Sequence, residues 1–395
     1  EPSYPLVHVA YKDPELPVQV RLEALSPVVP LDENESCLPA AVLRFWVKNP
    51  TAQPVNVAVA VSWRNLIGLG GTAELIFEPS GELTQEVIKR GRLSGIHFMG
   101  KLDSSQPLNQ NAFGDTALVY QSGKNEAVSY LPAWAPEESP AAFWEPFEKN
   151  GGFEKAKSPV KFTVSGPYRP AAAVAARQTI GAGQEETFVF IVAWHMPHRI
   201  GADNADSGVF YANRWDSALP AADDAASQWP ERLKRIENWR KRYLDSSLPE
   251  WLVHRMFNSM GTLARDGVYL KDGRFAFLTH DPNFPGNLGS PEERLVAMPF
   301  LLQCHPQLLH AELDLFAGVQ MANGEVPSAA GNLYGAIGKG DIPGGFVGRA
   351  DSTAAFLLMA YEYYLWTGDK AYLEKMFPYL RFAPLWLLNK DPNGD

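Results

Sequence analysis

The sequence holds two cysteines in 395 residues, Cys37 and Cys304, too few for a disulfide scaffold or a thiolate zinc site. It lacks any apolar run near the roughly 18 residues needed to cross a bilayer, so no membrane span is expected. Positive charge is in deficit: 35 Lys and Arg stand against 45 Asp and Glu, a formal net charge of -10. A surface of that sign repels nucleic acid and anionic lipid over most of its area, and neither is expected as a main partner. The one basic cluster is "RLKRIENWRKR", Arg232 to Arg242. Leu233, Ile236 and Trp239 recur through it at helical spacing, so it reads as the solvated face of an amphipathic helix. The histidines show no metal-ligand spacing, and no zinc site is expected. The chain opens at Glu1 with neither a methionine nor a signal peptide, which leaves the compartment of a soluble protein open between cytoplasm and export.

What is present falls into two halves with different periods. With 46% hydrophobic and 20% charged residues, the composition is that of an ordinary globular chain long enough for more than one domain. Up to about Ala225 the apolar residues alternate in short runs: "PVQVRLEAL", "AAVLRFWVKN", "VNVAVAVSW" and "ETFVFIVAWH". Each is rich in Val, Phe and Trp and predicts an antiparallel strand. Many short strands with turn signals and no helical runs predict a β-sandwich over residues 1–225. Gly100 to Asn111, Ala133 to Gly152 and Gly201 to Pro220 read as long surface excursions, the kind of loop that carries function or covers something.

After Ala225 the period becomes helical. A linker helix is expected over 226–247, broken at "DSSLPEW", where Ser247 offers an N-cap shortly before Pro249. From 248 to 395 helices are predicted at about Pro291 to Gln303, Pro306 to Ala322, Asp351 to Trp366 and Lys370 to Leu388. Long paired helices after a sandwich suggest a helical toroid. Residues 248–395 hold about half the helices a closed ring needs, and half a ring exposes apolar surface. The expectation is therefore a partial chain, its remaining half supplied by a continuation or by another subunit.

Four stretches carry a resemblance: "VHVAYKDPELPVQVRLEALSPVVPLD", "FVFIVAWHMP", "SLPEWLVHRMFNSM" and "FLLMAYEYYLWTGDKAYLEKMFPYL". In that order they resemble glycoside hydrolase family 116, the bacterial β-glucosidases and non-lysosomal glucosylceramidases. The resemblance implies an N-terminal β-sandwich followed by an (α/α)6 barrel, of which this chain holds about the first half. It implies a carbohydrate or glycoside substrate and no required cofactor, with an active site at the barrel mouth. It also implies a further N-terminal segment and a long C-terminal continuation in the complete protein.

Retaining glycosidases use two carboxyl groups about 5 to 5.5 Å apart, one a nucleophile and one a proton donor. The family's nucleophile is a glutamate after a Phe-Ala-Tyr-Leu-like strand, and here "FAFL" is followed by Thr279. The nearest carboxylate is Asp281, beside His280 and stiffened by Pro282. The family aspartate about eleven residues on falls at Glu292 when "LLQCHP" is aligned with the family's Trp-Pro. The Ile-Pro-His-Asp motif becomes "VPSA", with Ser328 and Ala329 in place of His and Asp. Asp351 matches a retained aspartate, and the family's acid/base aspartate lies beyond the equivalent of Asp395.

The residues alone leave alternatives open. "THDPNFPGN" reads either as a catalytic loop, with His280 or Asp281 in acid/base work, or as turn chemistry leading into a helix. Glu292 and Glu293, after Pro291, would in either case favour the helix dipole. The glycine-rich "GNLYGAIGKGDIPGG" lacks the context of a phosphate loop and reads as a rim loop, with Tyr334 in it. Trp134 and Trp144 stack on sugar rings or pack in a core. Asp391, Asn393 and Asp395 occupy the first, third and fifth positions of a calcium loop, or of a plain polar turn.

Three functions follow. The first is a glycosidase with altered sugar specificity, in which Asp281 or Glu292 supplies one carboxylate and Thr279, Asp351 and Ser328 line the sugar site. The second is a lyase on a uronate-containing glycan, with His280 and Tyr334 as base and acid. The third is a non-catalytic glycan-binding or scaffold protein.

Overall fold

The computed structural model describes residues 2–71, 76–77, 80–103, 107–123, 126–165, 168–201, 204–279, 287–331 and 348–390. The chain forms two compact units, each built from separated stretches. The first takes Glu1–Val28, Asn34–His198 and Tyr211–Asn258; the second takes Val29–Glu33, Arg199–Phe210 and Ser259–Asp395.

The alternating runs of the first unit form antiparallel strands, as their period requires. The four quoted runs appear as Gln19–Leu25, Ala40–Lys48, Val55–Arg64 and Glu185–His195. Among the described residues the larger sheet has nine strands. Their spatial order is Pro2–Ser3, Leu6–Tyr11, Gln19–Leu25, Ala40–Lys48, Glu185–His195, Asp115–Gln121, Leu93–Leu102, Gly81–Arg90 and Val160–Val164. The smaller sheet orders Ala127–Trp134, Ala171–Ile180 and Val55–Arg64. Phe98, Tyr120, Phe188 and Phe190 of the larger sheet pack with Val57, Val174 and Ala176 of the smaller in one core. This is the face-to-face packing of a sandwich.

Both sheets bury a second face as well. Ala173 and Ala175 turn outward from the middle strand of the smaller sheet onto Phe143 and Phe153. The covering element is the helix Ala141–Asn150, inside a stretch expected to be a loop. Phe143 and Phe147 lie four residues apart and meet with ring centroids 5.7 Å apart, a single apolar stripe one turn long. Pro140 and Pro146 hide that stripe from a sequence reading, because proline usually ends helices.

A longer helix, Ala218–Leu244, packs on the other side of the larger sheet. Its buried Ala218, Ala221, Ala222 and Ala225 let the backbones approach closely. It begins well before the expected linker and runs through Pro230. The basic stretch within it is not wholly solvated. Arg232 and Arg240 share an inward face with Ile236 at spacings of four, and all three are buried. Arg232 pairs with Glu35 and Asp224 at 2.6 Å each, and Arg240 donates to Ser3 Oγ at 2.7 Å. Glu35 and Ser3, from the start of the chain, and Asp224, two turns back on the same helix, receive these guanidinium groups, and the sequence around Arg232 to Arg242 carries no sign of the two distant partners.

The second unit is mainly helical. Gly261–Asp266 leads into a three-stranded antiparallel sheet of Gly267–Tyr269, Phe275–Thr279 and Asn287–Leu288. Helices Pro291–Cys304, Pro306–Val319, Ala350–Thr367 and Lys370–Lys390 follow, close to their predicted spans. Phe277, Leu301, Leu309, Phe316, Phe356, Met359 and Met376 form its core. No helix of the described residues is long and apolar enough to cross a membrane. Neither Cys37 nor Cys304 is in a disulfide, and burial pushes the Cys304 thiol up to about 12.

Candidate functional site

The site is best built from Phe277. "FAF" at 275–277 is buried as a strand, and the chain returns as Asn287–Leu288 with Leu278 opposite Leu288 and Thr279 opposite Asn287. Gly289 follows with φ +91°, and a Cβ on it would stand 2.3 Å from the Phe316 ring. Only glycine fits there. Its amide donates to Phe277 O at 2.8 Å, and Pro291 then opens the next helix at its first turn. Glu292 is thereby fixed one short turn from the strand pair that ends at Thr279.

Glu292 meets donors on both oxygens. Ser352 Oγ donates to Oε2 at 2.9 Å, and Arg349 Nη2 lies 3.5 Å from Oε1. The same Arg349 grips Asp351 through Nε to Oδ1 at 3.1 Å and Nη2 to Oδ2 at 2.6 Å. That bond is the leading reason the Asp351 carboxyl is held below its ordinary range. Two helix N-termini are thus joined, and each carries a carboxylate in its first turn, where the dipole favours it.

The segment after Gly324 threads between them. Val326 N donates to Thr353 Oγ1 at 3.0 Å, and Ala330 N donates to Leu288 O at 2.8 Å. Ser328, buried, sits between these two anchors. Glu325, also buried, accepts the amide of Gly348.

Thr279, Glu292, Ser328 and Asp351, chosen from four separate stretches of sequence, therefore belong to one neighbourhood of the second unit. Trp134 and Trp144 belong to the first. Trp134 stacks on Phe143 with centroids 5.0 Å apart and donates Nε1 to Ser62 Oγ at 3.0 Å, while Trp144 is 59% exposed. His280, Asp281, Tyr334, Asp391, Asn393 and Asp395 lie outside the described residues, as does the glycine-rich loop from 332 onward. Among the described residues no group of three His, Cys, Asp or Glu side chains could hold a metal ion. The sequence reading missed Arg349, Ser352 and Glu325. An arginine two residues before an aspartate at a helix start was the only local signal, and the pairing with Glu292 reaches across about sixty positions of sequence.

Comparison with known proteins bears on the same question. A family model described as beta-glucosidase 2, glycosyl-hydrolase family 116 N-term matches residues 1–236. The chain belongs to glycosyl-hydrolase family 116. The match covers more than half of this family 116 chain, including both sheets and most of the long helix. Two solved structures are similar at lower levels. One is a protein provisionally described as a kojibiose phosphorylase, from the human microbiome, with 9% identity and a TM-score of 0.41 over 93% of this chain and 42% of that one. The other is a family 92 α-mannosidase from Bacteroides thetaiotaomicron, solved with mannoimidazole, with 10% identity and a TM-score of 0.33 over 96% of this chain and 50% of that one. The chain spans half the length, or less, of these structures.

Proposed function

We propose that the complete protein is a glycosidase related to the β-glucosidases and glucosylceramidases, with altered sugar specificity and Glu292 as a carboxylate of its active site. The observation that carries this is the setting of Glu292. It is gripped by Ser352 and Arg349 in the first turn of the helix that follows Asn287–Leu288, the strand paired with the strand end where a family 116 enzyme places its nucleophile. With Thr279 at that strand end, the carboxylate chemistry must come from a neighbour, and Glu292 or Asp281 supplies it. A fixed carboxylate stabilises an oxocarbenium-like transition state, and a second carboxyl group, from elsewhere in the complete protein, delivers the proton. Asp351 offsets the charge of Arg349 and, with Ser328, lines the sugar-binding shell. The paired helices of the second unit form part of an (α/α)6 barrel.

The replacement of the family glutamate by Thr279 favours one rival, a barrel that binds glycans without cleaving them. The deciding experiment exposes the complete protein to 2-fluoro-glycoside inactivators and maps the label by peptide mass spectrometry. A label on Glu292 or Asp281 supports a retaining glycosidase. Glycan binding without label or turnover across a broad glycoside panel would sink the proposal. Glu292→Gln is expected to lower kcat by at least about a hundredfold with the fold intact, and an unchanged kcat removes Glu292 from the mechanism.

A further inference from the structure

Beneath Glu292 lies a buried ion pair to which that reading gives no role. Arg294, two residues on, is buried and lays its guanidinium carbon 4.3 Å from the centre of the Phe277 ring. Its Nε stands 3.5 Å from Oε1 of Glu312, a carboxyl with no exposed surface on the helix Pro306–Val319. Among the described residues neither Glu312 oxygen makes a hydrogen bond of good geometry, and neither does Arg294 Nε. Burial pushes the Glu312 carboxyl up to about 7, against the opposing pull of Arg294 and the Phe277 amide. A second carboxylate near Arg294 among the described residues is Glu293, at 3.7 Å and 55% exposed.

These contacts converge on one residue. Phe277 offers its ring to Arg294, its carbonyl to Gly289 and its amide toward Glu312. Strand, helix start and second helix are thereby tied at a single point. A pair this deep adds little stability over apolar side chains of the same volume, because desolvation offsets the attraction. Its distinctive effect is directional, since a planar guanidinium that meets both a buried carboxylate and a ring face is restricted in the orientations it can take.

The geometry points to Glu312 as a positioning residue that, through Arg294, sets where Glu292 stands relative to the strand end at Thr279. This rests on the reading of Glu292 given above.

Two variants separate positioning from packing. Arg294→Met combined with Glu312→Leu fills the space with apolar atoms, and buried pairs replaced in this way often keep or gain stability. Glu312→Gln keeps the shape and removes the charge. The double variant is expected to unfold no earlier than wild type, yet to show roughly tenfold faster amide exchange over residues 287–295. Its kcat on an aryl glycoside that the wild type cleaves should fall by about tenfold or more, with KM nearly unchanged. Glu312→Gln should remove a titration near neutral pH from the kcat profile. If the double variant does not fold, exchange and kcat in Glu312→Gln decide the matter. Wild-type exchange and wild-type kcat in the folded variant would overturn the inference. If the wild type cleaves no glycoside, the reading of Glu292 falls by itself, and exchange over 287–295 alone decides whether the pair positions that segment.

Discussion

Asp115 shows how a single residue links three strands and a helix. His97 Nε2 lies 2.7 Å from its Oδ2, His195 Nδ1 lies 3.6 Å from Oδ1, and the amide of Ala218 donates to Oδ2 at 2.9 Å. Burial alone would raise its carboxyl, but the bonds from His195, His97 and Ala218 outweigh that and hold it at about 2. A depressed carboxyl stabilises the fold above its unfolded value near 3.8, and that contribution disappears as pH falls through about 2. Asp115→Asn is expected to cost about 2 kcal/mol at neutral pH and to flatten the loss of stability between about pH 4 and 2. Chemical unfolding across that range checks it. At this scale Glu292 and Asp351 could be chosen from the sequence because the family 116 resemblance aligned family aspartates with them; the local pattern of a carboxylate after Pro291 reads equally as a helix start. Arg349 and Ser352 could not, since their meaning lies in a partner about sixty positions away.

At the scale of elements, period and length found the four quoted strands and the four later helices, while one helix was missed and boundaries yielded to packing. The helix Ala141–Asn150 exists because Ala173 and Ala175 leave an outer sheet face to cover. The helix Ala218–Leu244 outruns its predicted start because alanines let it lie close on the larger sheet. The turn from strand to helix at Gly289 is the strictest local requirement near the site. Gly289→Ala combines positive φ with a clash against the buried Phe316, and should cost at least about 2 kcal/mol. A denaturant midpoint equal to wild type would show that Phe316 can move aside.

At the scale of the molecule, the second unit exposes apolar side chains in quantity. Leu358, Tyr361, Leu365 and Trp366 on one helix and Phe377, Leu385 and Leu388 on the next are each about half exposed or more. Patches of that kind mark surfaces that something covers. The 395-residue chain should therefore bind a hydrophobic dye, and Leu365→Lys with Phe377→Lys should reduce the signal by at least about half. An unchanged signal would place the dye elsewhere. The sequence by itself determined the order of the elements, sheets first and helices after, and the family, because periodicity and motif are properties of neighbouring residues. Only the tertiary structure decided which charges are buried and which carboxylate is gripped by which arginine, because burial and pairing depend on residues that folding alone brings together.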